Sequence, residues 1–177
     1  MRVFEESAGT AAPPRGAVAT IGNYDGIHRG QSAVLEVVIA RARAAGRPSL
    51  AITFEPHPLH LLAPDRAPAR LTTPRQRERL LGALGLDALL VLPFTAELAA
   101  QPAEQFVRQT LAGRLAIHEL HVGSRFAFGR HRQGDLALLE RLGAELGFTA
   151  FGVPELELDG APVSATRIRQ AIATLSL

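Results

Sequence analysis

The 177 residues, 47% of them hydrophobic and 20% charged, suit one globular domain with a sizeable core, read here as spanning 1–177. There is no Cys, and all 19 basic residues are Arg, which excludes disulfides, thiol nucleophiles, Cys-bound zinc, Lys Schiff bases and a phosphate loop built on Lys. A formal charge of only +2, with eight Phe and one Tyr scattered along the chain, argues against a nucleic-acid partner, whose surface would interleave clustered cations with aromatics.

The predicted elements begin with a short strand at residues 2–4 and an Ala-, Pro- and Gly-rich loop over 5–16. Glu5 and Glu6 make the start unlike a signal peptide, and no run approaches the roughly eighteen apolar residues of a membrane span, so a cytoplasmic protein without a membrane partner is expected. Residues 17–21 form an apolar strand between Gly16 and Gly22. A helix over 31–45 carries Val34, Leu35, Val38, Ile39 and Ala42 on one stripe and stops at Gly46. A second buried strand, 49–54, runs into the turn Glu55-Pro56-His57-Pro58.

Thr73, Pro74 and Gln76 spell a capping box with Pro at the first helical position, so a helix should run from there to about Leu84. Strands at 88–92, 117–122 and 150–153 alternate with helices at 103–113 and along the stripe Leu138, Leu139, Leu142 and Leu146, and a last helix follows Ser164. Such alternation predicts an α/β fold: a doubly wound, mostly parallel sheet covered by helices on both faces. Ligands in these folds bind beyond the carboxyl ends of the strands, which singles out the loops after Ile21, Phe54, Val122 and Val163.

The first of these loops reads Gly22-Asn23-Tyr24-Asp25-Gly26-Ile27-His28-Arg29-Gly30-Gln31 and leads directly into a helix. Free N–H groups and the positive end of the helix dipole favour a phosphate there. Glycines let the backbone approach closely, and His28 adds a donor. Glycine spacing alone is equally compatible with a plain strand-to-helix turn carrying a surface His.

This segment resembles the Gly-Asn-Phe-Asp-Gly-Val-His-x-Gly-His signature of the FAD synthetase module of bacterial riboflavin kinase/FAD synthetases, within the wider His-x-Gly-His nucleotidyltransferase superfamily. Thr53-Phe54-Glu55-Pro56-His57-Pro58 is similar to that family's Thr-Phe-Glu-Pro-His-Pro turn. The stretch with Gly123, Phe126, Phe128, Gly129, Arg132, Gly134 and Asp135 resembles its flavin-site loop, and Val163-Ser164-Ala165-Thr166-Arg167-Ile168-Arg169 its Val-Ser-Ser-Thr-x-Ile-Arg motif. The four motifs occur in family order over nearly the whole chain.

The resemblance implies a Rossmann-like fold that moves AMP from ATP to FMN with magnesium, giving FAD and pyrophosphate. It implies catalytic roles for His28, Ser164, Thr166 and Arg169. Binding roles are implied for Gly22, Asn23, Asp25, Gly30, Gln31, Pro56, His57 and Pro58, and for Arg125, Phe126, Phe128, Arg132 and Asp135. The expected partners are the small molecules ATP and FMN, with no protein-held metal and no riboflavin kinase module before the chain stops at Leu177.

Three positions depart from the pattern: Gln31 replaces the second motif His, Arg125 a customary Asp or Asn, and Ala165 the second Ser. They keep a second reading open, that of a catalytically impaired flavin- or nucleotide-binding relative, or of a transferase with another nucleotide or acceptor. Arg29 could partly replace the missing charge, and Arg125 is expected to attract the FMN phosphate. His118 and His121 lack zinc-helix spacing, His60 reads as an ordinary loop residue, and Arg75, Arg77 and Arg79 read as a solvated face. Asp25 reads as a structural loop residue.

Overall fold

The computed structural model describes residues 1–5, 11–158 and 160–174. The loop expected over 5–16 therefore lies partly outside the described residues, as do position 159 and the last three residues.

Six parallel strands form the main sheet: β1 (Arg2–Glu5), β2 (Val18–Ile21), β3 (Ser49–Glu55), β4 (Ala88–Pro93), β5 (Glu119–Gly123) and β6 (Thr149–Val153), in the order β1-β4-β3-β2-β5-β6. From β2 the chain steps outward to β3 and β4, then returns across β2 to place β5 and β6 on its other side. The reversal lies between β2 and β5, so their carboxyl ends open a crevice.

The alternation of side chains decides the two faces. On one face Ala19, Ile21, Leu50, Ile52, Leu90, Leu92, Leu120 and Val122 pack with Phe106, Val107, Leu111, Leu139 and Leu142. On the other, Ala51, Leu89 and Val91 meet Leu35, Ile39 and Leu81, while Val18 meets Val38 and Ala42. The second face is covered by α1 (Arg29–Ala45) and α3 (Pro74–Ala83), with a short α2 (Pro58–Leu62) between them in sequence. The first is covered by α5 (Ala103–Phe106) with its continuation, and by α6 (Leu136–Leu146); α4 (Ala96–Ala100) is short. The antiparallel pair β7 (Glu157–Leu158) and β8 (Ala161–Pro162) precedes α7 (Ala165–Ala173). Among the described residues, no helix is long and apolar enough to cross a membrane.

Local chemistry explains the ends. The capping box at Thr73 forms as expected, with the Thr73 hydroxyl accepting from Gln76 N and the Gln76 amide oxygen accepting from Thr73 N. The helix expected over 103–113 departs from α geometry: from Val107 to Arg114 it widens into a π-helix. Spacing of four brings Val107, Leu111 and Leu115 to one buried row, which the wider turn aligns. Gly113 permits it, because an added Cβ would lie 2.9 Å from the Arg108 carbonyl.

The expected solvated face on α3 also needs correction: Arg77 is 7% exposed, and its guanidinium lies 3.5 Å from Glu55. It sits on the inward face of α3 beside buried Leu81, four residues on, so helical period overrides residue type.

On β5, Leu120 and Val122 enter the core, which sends Glu119 and His121 to the α1 face. Arg41 Nη2 and Nε donate to the Glu119 carboxylate at 2.6 and 3.1 Å, and His121 Nε2 lies 2.9 Å from the same group. The Arg41 hydrogen bonds outweigh burial and, with His121, hold the Glu119 carboxyl down at about 2. A carboxylate whose pKa falls on folding stabilises the fold above its unfolded value, about 4.3, and loses that contribution as pH drops through the folded value. Urea midpoints should therefore fall between about pH 5 and pH 2. Glu119→Gln should cost about 1–3 kcal/mol at pH 7 and flatten the decline across that window. An unchanged slope in the variant would contradict the assignment.

Candidate functional site

Three strand ends and two helix starts surround the crevice. The loop from Gly22 to His28 leaves β2, the Glu55–Pro58 turn leaves β3, and Gly123 ends β5. His28 is the N-cap of α1, its Nδ1 accepting from Gln31 N at 3.3 Å. Ser164 is the N-cap of α7, its hydroxyl accepting from Arg167 N at 3.2 Å. The starts of α1 and α7 are close: a Cβ built on Gly30 would lie 3.2 Å from the Val163 carbonyl and 3.3 Å from His28 Nδ1.

A cavity of about 180 Å³ lies at this junction, bounded by Gly22, His28, Gly30 and Gln31 and by the apolar side chains of Ile21, Val34, Leu156 and Val163. A second cavity, of about 340 Å³, is walled by Phe54, Leu62, Phe94, Leu98, Phe106 and Phe128, with Arg130, His131 and Arg132 at its edge. Phe54 and Phe94 meet edge to face at 5.7 Å, and Phe106 and Phe128 are tilted at 6.1 Å. His131 and Arg132 hold φ values of 54° and 56°, a strained backbone in which this edge is built. A small polar pocket of about 30 Å³ shares Tyr24 with the first cavity and Phe54 with the second. Asn23, Asp25, Glu55, His57, Arg70 and Arg77 line it.

Asp25 is the most heavily bonded group in this region. Its carboxylate accepts from Leu71 N at 3.0 Å, Thr72 N at 2.8 Å, the Thr72 hydroxyl at 3.0 Å and Arg169 Nη2 at 2.6 Å. Arg169 Nε also donates to the Ala69 carbonyl at 2.7 Å. Burial pushes the Asp25 pKa up, but these backbone, Arg169 and Thr72 hydrogen bonds together carry it below the usual carboxylate range. Arg70 and Arg77 pair with the Glu55 carboxylate.

Burial, and then the Arg169 charge, lower the pKa of His28. His57, the N-cap of α2, is also lowered, first by burial and then by Arg169 and His60. Both rings accept at Nδ1, so in the neutral form each carries its proton on Nε2. The region thus holds two neutral N–H donors, the guanidiniums of Arg70, Arg77 and Arg169, and two helix starts, a donor set suited to phosphate oxygens.

The structure brings His28, Gly22, Gly30 and Gln31 together at the first cavity, and Asn23, Asp25 and His57 at the polar pocket. Phe128 and Arg132 belong to the aromatic cavity. The Gln31 amide nitrogen donates to the Asn23 carbonyl at 2.8 Å, while its buried amide oxygen has no partner among the described residues. Pro56, preceded by a cis peptide bond, and Pro58, the first residue of α2, flank His57. Thr166 is exposed on α7, and Arg29 is exposed at the first position of α1.

Other expected residues stand apart. Arg125 lines neither cavity, and its guanidinium pairs with Glu155. Phe126 stacks on Phe128 at 5.5 Å and packs against the core, and Asp135 caps α6 by accepting from Leu138 N at 2.8 Å. Arg167 points away, donating to the Leu158 and Ala161 carbonyls. Sequence reasoning missed the segment that supplies Arg70, Leu71 and Thr72, and also the aromatic walls Phe94 and Phe106. Phe94 was accessible in principle, since it follows the carboxyl end of β4.

Among the described residues no three His, Asp or Glu side chains converge as metal ligands. Asp25 and Glu55, the carboxylates of the polar pocket, are already engaged by arginines.

Comparison with known proteins agrees with this geometry. The FAD synthetase family profile matches residues 10–167. A bifunctional riboflavin kinase/FMN adenylyltransferase of Escherichia coli K12 is 41% identical over 162 residues, covering 92% of this chain and 52% of that protein. One of Pseudomonas fluorescens is 43% identical over 159 residues, covering 90% and 51%. A putative bifunctional riboflavin kinase/FMN adenylyltransferase of Geobacillus thermodenitrificans is 36% identical over 176 residues, covering 97% and 90%. The chain thus spans about half the length of the first two relatives. In three dimensions it is similar to a Streptococcus pneumoniae protein described as a macrolide-efflux protein, with a TM-score of 0.80 at 26% identity over 97% of this chain and 57% of that one. With the profile spanning most of its length and relatives this similar, the chain belongs to the FAD synthetase family.

Proposed function

We propose that this chain is an FMN adenylyltransferase, joining the AMP moiety of ATP to the phosphate of FMN to give FAD and pyrophosphate. The observation that carries the reading is the pairing of two unlike cavities across one polar pocket. The aromatic cavity suits a flat, hydrophobic isoalloxazine ring. The cavity at the starts of α1 and α7 suits a nucleotide whose phosphates meet His28 on its wall and reach on towards Ser164 and Arg169. The polar pocket that shares a wall with each is where the two phosphates would meet. Family membership and the relatives named FMN adenylyltransferase support the same reading.

The chemistry asks for no protein nucleophile. An oxygen of the FMN phosphate attacks the α-phosphorus of ATP, and the bond from that phosphorus to the bridging oxygen breaks. Pyrophosphate leaves with the electron pair. A chain without Cys or Lys can therefore support the reaction by orientation and charge stabilisation. His28 donates from Nε2 to the triphosphate, and Arg169 and the N–H groups at the start of α7 receive charge developing on the leaving group. His57, between Pro56 and Pro58, faces the acceptor phosphate, while Arg132 flanks the flavin. Magnesium would neutralise polyphosphate charge when bound with the nucleotide.

Of the departures from the family pattern, Gln31 is spent on closing the loop onto Asn23 and Arg125 on Glu155, whereas His28 lines the first cavity, Ser164 caps α7 next to Val163 of its wall, and Arg169 bonds Asp25 of the polar pocket. That favours an active transferase over an inert binding relative.

Incubation of the purified protein with FMN, ATP and magnesium, followed by chromatography, should yield FAD and pyrophosphate. His28→Ala should lower the rate about a hundredfold with the fold intact. Absence of FAD from the wild-type reaction would refute the assignment. Gly30→Ala adds a methyl against the Val163 carbonyl and the His28 ring. It should raise the KM for ATP several-fold and leave that for FMN unchanged, a split readable by varying each substrate in turn.

A further inference from the structure

A carboxylate is out of place in a loop suited to polyphosphate, because it repels the ligand. Asp25 nonetheless sits in the β2–α1 loop, three residues before His28. Its position makes sense through α7, of whose described residues none is buried. Ala165, Ile168 and Ala171 are only half-buried, so polar contacts add much to the hold on this helix. Arg167 ties the helix start to its own hairpin through the Leu158 and Ala161 carbonyls. Arg169 supplies the tie to the crevice, bonding Asp25 at 2.6 Å and the Ala69 carbonyl at 2.7 Å.

The guanidinium spends two of its five N–H groups on these bonds. The other three have no hydrogen-bond partner among the described residues. Side-chain exposures of 19% for Arg169 and 15% for Asp25 make this a shielded, charge-assisted contact. The carboxylate is itself fixed by Leu71, Thr72 and the Thr72 hydroxyl, so it cannot follow the guanidinium if that group moves.

We propose that Asp25 is a positioning residue for adenylyl transfer: it holds the Arg169 guanidinium, and α7 with it, so that the three unspent N–H groups meet the triphosphate of ATP. The inference rests on the FMN adenylyltransferase reading and adds the residue that orients the cation. Asp25 acts through Arg169, from the wall of the pocket where the phosphates would meet. Its repulsion of the nucleotide is offset because its charge is engaged by Arg169 and by backbone donors.

The test is a double-mutant cycle read by calorimetry with α,β-methylene-ATP, which binds without reacting, and with FMN. Asp25→Asn keeps an oxygen for Leu71 and Thr72 but loses the charge. It should weaken the nucleotide about tenfold and leave FMN affinity within about twofold. In an Arg169→Ala background the same substitution should no longer weaken the nucleotide, since the cation it positions is gone and only a repelling charge is removed. Additive losses, or equal losses for both ligands, would show a general structural tie and overturn the proposal. Tighter nucleotide binding by Asp25→Asn would overturn it too, showing that Asp25 withholds Arg169.

If Asp25→Asn fails to fold, Asp25→Glu keeps the charge and displaces the guanidinium by one methylene. It should lower kcat with an unchanged KM for FMN, and a wild-type kcat would overturn the inference. Failure of the underlying reading has a separate signature, because wild-type protein would then form no FAD at all.

Discussion

Asp25 puts a negative charge inside a loop whose glycines and helix start favour anions, and much of the open end of the sheet is arranged around that charge. At an effective dielectric of about 20, like charges about 4 Å apart repel by roughly 4 kcal/mol, enough to abolish useful phosphate binding if left unopposed. Arg169 opposes it directly, while Leu71 and Thr72 spread it over backbone donors. The bonds also join three parts of the chain distant in sequence: the β2–α1 loop, the segment before α3, and α7. Glu55 repeats the device at the end of β3, with Arg70 from that same segment and Arg77 from α3.

The sheet determines why these groups meet. Since the strand order reverses between β2 and β5, loops from both halves open on the same side, and each half contributes one wall. The faces differ in what they offer. The face packed by α5, its π-helical continuation and α6 is rich in Phe, and its rim becomes the aromatic cavity. The start of α1 supplies N–H groups and His28. An apolar ring and a polyphosphate can thus lie side by side without sharing a surface. The cations here are all guanidiniums, which stay charged throughout and match phosphate geometry, while both histidines are kept neutral as donors.

The sequence disclosed whatever depends on near neighbours. Thr73, Pro74 and Gln76 announced α3 because a capping box is complete within four residues. Strands β2 to β6 were legible from apolar runs and the motif loops from their glycines. Longer-range features stayed hidden. Asp25 bonds Thr72 and Arg169 across 47 and 144 positions, and no local pattern encodes such partners. Arg77 read as solvated because charge dominates a composition argument, yet its place on the inward stripe beside Leu81 buries it. Val107 to Arg114 read as α-helix because spacings of three and four admit either helix until packing chooses. The expectation that Arg125 meets a phosphate left out Glu155, thirty positions away.

A crystal structure with FMN and α,β-methylene-ATP bound together tests the central claim most directly, that two cavities joined through the Asp25–Arg169 contact bring acceptor and donor phosphates into line. The account requires the flavin ring among Phe54, Phe94, Phe106 and Phe128, and the nucleotide between Val34 and Val163. It also requires the phosphates to take up the free N–H groups of Arg169 while Asp25 keeps its hold on that residue. A flavin bound outside the aromatic cavity, or an Arg169 released from Asp25 once the nucleotide is in place, would contradict it.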